Sequence, residues 1–116
     1  MAAEAAEVVL REAGKLSVTG MVTIDNVVPV MEHGITLFDR EDLVVDLAQV
    51  TDVDSSAVSM LLQWQREASR GNRQIHFANV PQKLQSLIRL YSVSELIHWS
   101  AQSSRDSAGS PESGTS

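Results

Sequence analysis

The 116-residue chain carries 9 Lys and Arg against 15 Asp and Glu, a formal net charge of -6. That balance excludes a generic nucleic-acid binder, whose footprint is a basic patch, and direct attachment to an anionic membrane surface. With 43% hydrophobic and 21% charged residues, it has the composition of one soluble domain with a modest core. Aromatic residues make up only 4%, so aliphatic side chains must fill that core. The absence of cysteine removes disulfides, thiolate metal sites and cysteine nucleophiles, and agrees with a reducing cytosol. No apolar run is long enough to span a bilayer, and Met1 to Glu7 lacks the basic start of a signal peptide, so a cytoplasmic location is expected.

In chain order, residues 1–14 read as a frayed N-terminal segment running into an edge strand around Val8, Val9 and Leu10. Gly14 turns the chain, and Lys15 to Gly20 alternates with the period of a strand, with Leu16 and Val18 facing the core and Gly20 ending it. Asp25 or Asn26 can cap a short helix built on Val27, Val28, Val30 and Met31, with Pro29 in its first turn. Gly34 is expected to break that helix, although it can run on as far as Phe38. After a polar connector, Leu43 to Leu47 is rich in β-branched residues and reads as a buried central strand. A short polar turn follows. Asp54 then caps a helix predicted to run to about Arg70, with Ala57, Leu61, Trp64 and Ala68 at helical spacing. Trp64 reads equally well as core or as an anchor for a partner.

Gly71-Asn72 is a helix stop. Gln74 to Asn79 alternates as a strand, and Pro81 opens a last helix from Gln82 to Tyr91, whose stripe Leu84, Leu87, Ile88 and Tyr91 reads as core. Leu96 to Trp99 suits a short closing strand. The organisation expected is thus a segment 1–14, a domain 15–99, and a serine- and glycine-rich disordered tail 100–116. Alternation of strands and helices implies a mixed or mostly parallel sheet, with sites beyond the C-terminal ends of strands, where Asp54-Ser55 falls.

Little in the chain points to catalysis. There is no glycine-rich phosphate loop and no Gly-x-Ser-x-Gly elbow, and His33, His76 and His98 stand far apart on different elements. Asp46, Asp52 and Asp54 are near one another in sequence, but a turn plus a helix cap accounts for them better than a metal site. No nucleophile–base pair can be assembled, so the chain is expected to be no enzyme and to need no cofactor. The distinctive chemistry is the helix start at Asp54-Ser55-Ser56, where hydroxyls lie beside unpaired N–H donors and the positive end of the helix dipole.

Val44-Val45-Asp46-Leu47 through Asp54-Ser55-Ser56-Ala57-Val58 resembles the signature of the STAS domain, a strand ending in Asp-Leu, a spacer, then Asp-Ser-Ser-Gly-Leu opening a helix. Asn79-Val80-Pro81 and Leu90-Tyr91-Ser92-Val93 are similar to the family's last strand and helix. The resemblance covers roughly Leu16 to Trp99. It implies an α/β fold, a STAS-like mixed β-sheet of about four strands with helices packed against it. The very short first half and Leu87-Ile88-Arg89-Leu90-Tyr91 are most similar to the MlaB type, the small free-standing STAS proteins of Mla phospholipid ABC transporters. That likeness implies a cytoplasmic accessory subunit bound to an MlaF-like ATPase, touching the membrane only through the transporter. The partner-binding residues it implies are Asp52, Asp54, Ser55, Ser56, Val58, Ser59 and Leu62, with Ser55 at the centre. Two alternatives follow from the same family. One is an anti-sigma factor antagonist switched by a kinase that phosphorylates Ser55; the other is a nucleotide-binding STAS module. The family's glycine after Ser-Ser is Ala57 here, followed by Val58 rather than leucine; a methyl at that point limits how closely another backbone can approach, which tells against a kinase-docking antagonist more than against a constitutive transporter subunit.

Overall fold

The computed structural model describes residues 6–12, 14–38, 41–93 and 95–101. Its strands are β1 (Glu7–Glu12), β2 (Lys15–Val22), β3 (Leu43–Val53), β4 (Ile75–Val80) and β5 (Trp99–Ala101), and its helices α1 (Val27–Thr36), α2 (Ser56–Arg70) and α3 (Gln82–Leu90). They form one sheet in the order β1-β2-β3-β4-β5, with β1 antiparallel to β2 and every later pair parallel. The mixed sheet is as expected, and its five strands include the edge strand anticipated around Val8, Val9 and Leu10.

The order explains the layering. Each parallel step from β2 to β5 moves one place in the same direction through a helix, and right-handed crossovers of that kind all return over the same face. Burial along β3 agrees: Leu43, Val45 and Leu47 are buried, while the intervening Val44 is exposed. The core is therefore a single apolar layer between one sheet face and three helices, with Leu16, Val18, Phe77, Leu61, Trp64, Leu84 and Ile88 fully enclosed.

Several expectations need correction. β2 does not end at Gly20 but passes through it to Val22. Gly20 sits at φ +90 beside a register shift against β3, a backbone state that glycine adopts without steric cost. β3 likewise runs on to Val53, so the stretch expected to be a polar turn is strand. Its polar residues Gln49 and Thr51 are exposed while Val53 is buried. Gly34 does not break α1. An added methyl there would overlap the Trp64 ring, so the glycine lets α1 lie close against α2. Trp64 is completely buried and its Nε1 donates to the Met31 carbonyl at 3.0 Å, which settles it as core.

Asn26 precedes α1 without capping it through its side chain. Its Oδ1 accepts from the Thr23 N–H and its Nδ2 donates to the Met21 carbonyl, fixing the loop instead. β5 begins at Trp99, later than expected, and Tyr91 leaves the apolar stripe of α3 to stand half exposed. The expected tail lies, from residue 102 onward, outside the described residues.

Candidate functional site

The site is built where β3 delivers the chain to α2. β3 is held in place partly by Asp46, whose Oδ1 accepts from the Ala48 N–H at 2.9 Å and from Asn79 Nδ2 at 3.0 Å. That carboxylate ties a register shift in β3 to the end of β4, a structural duty. Beyond Val53 the chain turns into α2. Ser55 stands formally before the helix, yet it already has helical angles and its side chain caps nothing. The capping is done by Asp54: its Oδ1 accepts from the Ser56 N–H at 2.9 Å and from the Ser56 hydroxyl, and its Oδ2 accepts from the Ile24 N–H at 2.9 Å. The Ser56 hydroxyl followed by these backbone N–H groups holds the Asp54 carboxyl below its ordinary value.

This arrangement leaves Ser55 as the exposed residue of the tip. Its neighbours on the same face, one and two turns on, are Val58, Ser59 and Leu62. Together with Tyr91 and Val93 they line a groove of about 250 Å³ between the start of α2 and the end of α3. Four of the seven expected partner-binding residues thus meet in one depression: Ser55, Val58, Ser59 and Leu62. The other three are placed otherwise. Asp54 and Ser56 are spent on each other, and Asp52 points towards α3, accepting from Lys83 Nζ at 2.7 Å. That ammonium, then the Val53 N–H, lowers the Asp52 pKa. Ala57 is fully buried, so its methyl packs inward and is not what a partner's backbone would meet at the tip.

Sequence reasoning missed Tyr91 and Val93. They are carried into the groove by the way α3 stops. The Ser92 N–H donates to the Arg89 carbonyl at 3.0 Å and the Val93 N–H to the Ile88 carbonyl at 3.2 Å, with Ser92 at φ +58. This is a Schellman stop with serine at the left-handed position that glycine usually takes. The segment that carries Tyr91 and Val93 into the groove has an apolar surface for an acidic domain: Leu90 is 70% exposed, Leu96 62% and Tyr91 51%. Exposed aromatic and aliphatic side chains around a hydroxyl-bearing helix tip are suited to protein contact. Among the described residues no group of histidines and carboxylates is arranged to hold a metal ion, and no helix is long and apolar enough to cross a membrane.

An α/β sheet of this order, with an exposed serine at the start of the helix after the central strand, defines a class. The chain belongs to the STAS domain family: the family model described as "Mlab, STAS domain" matches residues 6–98. Among solved structures it is similar to the anti-sigma factor antagonist SpoIIAA in its unphosphorylated form, with a TM-score of 0.62 and 12% sequence identity over 90% of this chain and 92% of that one. At that identity the likeness is one of fold. No curated protein sequence matches the chain. STAS domains act as regulatory or accessory modules through protein–protein interaction, and the site described here agrees with that class.

Proposed function

We propose that the chain is a non-enzymatic accessory subunit of a phospholipid ABC transporter of the Mla type, docking on the transporter's ATPase through the α2–α3 groove. The observation that carries the reading is the exposed Ser55 hydroxyl at the head of a groove whose walls are Val58, Leu62, Tyr91 and Val93. A partner side chain laid there covers apolar surface and meets the Ser55 and Ser59 hydroxyls at the rim. The MlaB-type character of the matching family model supports this choice of partner. In this reading the chain works in the cytoplasm, at the inner face of the membrane only while bound. Co-expression with an Mla-type ATPase and permease tests it: the chain is expected to co-purify with the ATPase, and a chain that elutes alone contradicts it.

A second reading is favoured by the exposure of Ser55 together with the SpoIIAA-like fold. In it, a kinase phosphorylates Ser55 and the added charge of about −2 disrupts the docking of an anti-sigma factor. Incubation with a cognate anti-sigma kinase and ATP, followed by intact mass, separates the two. A gain of one phosphate, lost in Ser55→Ala, supports the switch; an unchanged mass removes it.

A further inference from the structure

β1 is an edge strand, and among the described residues only β2 pairs with it. An open edge is a row of unpaired backbone N–H and C=O groups, a template for another strand. Its side chains alternate from Glu7 to Leu10, with Glu7 and Val9 on the open face of the sheet and Val8 and Leu10 on the helix-covered face; Arg11 is the extra residue of a bulge between Leu10 and Glu12 and also stands on the open face. Val9 stands opposite Ser17 on β2, and Arg11 lines an open-face depression together with Ser17. Leu10 is 48% exposed although it lies on the face that elsewhere carries the core.

We propose that this edge pairs antiparallel with β1 of a second copy of the chain, the two strands centred on Val9. In an antiparallel ladder, directly opposed residues point to the same face and orient their backbone groups in the same sense. A strand meeting its own copy can therefore pair only in registers centred on a residue. Centring on Leu10 carries the pairing through the bulge between Leu10 and Glu12 and places Val8 against Glu12 of the other copy. Centring on Val8 uses few residues of the strand. Centring on Val9 sets Glu7 against Arg11 at both ends, Val9 against Val9, and Val8 against Leu10 twice. Opposite charges and apolar pairs directly across a ladder are the favourable combinations.

A second feature agrees with that register. Between β1 and α1 lies a depression of about 330 Å³, lined by Val8, Pro29 and Val30 among others. The register delivers Leu10 of the other copy opposite Val8, at the mouth of this depression. The exposed leucine and the apolar hollow then cover each other, twice, as a two-fold contact requires. None of the residues of the α2–α3 groove belongs to this edge, so a dimer leaves both grooves free.

The test is sedimentation velocity of the full 116-residue chain over a concentration series, with thermal midpoints as the folding control. A reversible monomer–dimer equilibrium is expected. Arg11→Glu, which sets like charges opposite each other at both ends, should raise the dissociation constant roughly tenfold or more. The Glu7→Arg, Arg11→Glu double variant, which restores opposite charges, should return it close to the parent value. Leu10→Lys provides an independent check and should weaken the dimer by a similar factor. Ser55→Lys should leave the equilibrium unchanged, which separates this dimer from the docking groove. A chain that stays monomeric throughout, or a dimer indifferent to Arg11→Glu and Leu10→Lys, overturns the proposal. A dimer weakened by the single charge reversal but not restored by the double exchange overturns the register.

Discussion

The two halves of α2 are made of similar residues and do opposite jobs. The second half, around Trp64 and Ala68, is sealed under α1, where Gly34 has no side chain, so that the indole fits and its N–H finds the Met31 carbonyl. The first half buries Ala57, Met60 and Leu61 but turns Ser55, Ser59 and Leu62 outward into a groove that no described residue fills. One helix is thus a structural post at its far end and a docking surface at its near end. The difference is what a partner-binding module needs: a tip fixed in position by a core several residues away.

The comparison can be broken hardest at the post. Trp64→Ala empties a fully packed site and removes the indole N–H that the Met31 carbonyl accepts. A loss of about 3–5 kcal/mol in unfolding free energy is expected, measured by urea titration. Gly34→Ala asks the α1–α2 contact to hold one more methyl and should cost about 1–3 kcal/mol through overpacking. Finding Gly34→Ala neutral would mean the helices can separate freely, and the rigid-post account would fail.

Where β3 meets the first half of α2, Asp54→Ala should cost about 0.5–2 kcal/mol by removing the cap. Asp54 also gives the tip a pH dependence. Its folded pKa lies below the unfolded value, so its contribution is fully present above the unfolded value, near pH 4, and is lost as pH falls through the folded pKa. Asp54→Asn should therefore flatten the acid limb of the stability curve below about pH 4 and leave the neutral region parallel to the parent. Equal acid limbs in the two proteins would show that the carboxylate makes no difference. Smallest of all, Ser55→Lys at the exposed tip should change stability by less than about 0.5 kcal/mol, with far-UV circular dichroism unaltered.

Much of the fold is legible in the order of the residues. The stretch from Leu43 to Val58 announces a buried strand and a capped helix, and Asp54 caps as its position implies. Leu16, Val18, Ala57, Leu61 and Ala68 are buried as their spacing requires. What stays hidden shares one cause: tertiary contact decides what local chemistry leaves open. Gly34 looks like a helix breaker until the indole against it is known. Gln49 to Asp52 looks like a turn because Gln49, Thr51 and Asp52 are polar, yet a sheet covered on one face only lets a strand carry polar residues on the other. Tyr91 fits an apolar stripe by spacing, but the stop after it uses Ser92 in a left-handed conformation that a serine does not advertise. The groove therefore has one wall that a sequence reading finds, Ser55 to Leu62, and one that it misses, Tyr91 and Val93.

The most direct test of the docking claim is quantitative binding of the folded chain to a purified Mla-type ATPase by calorimetry, comparing the parent with Ser55→Lys and Tyr91→Ala. Saturable binding by the parent is expected, abolished by Ser55→Lys and weakened roughly tenfold or more by Tyr91→Ala, with all three proteins equally stable. Binding that survives both substitutions unchanged would place the contact elsewhere on the molecule and contradict the account.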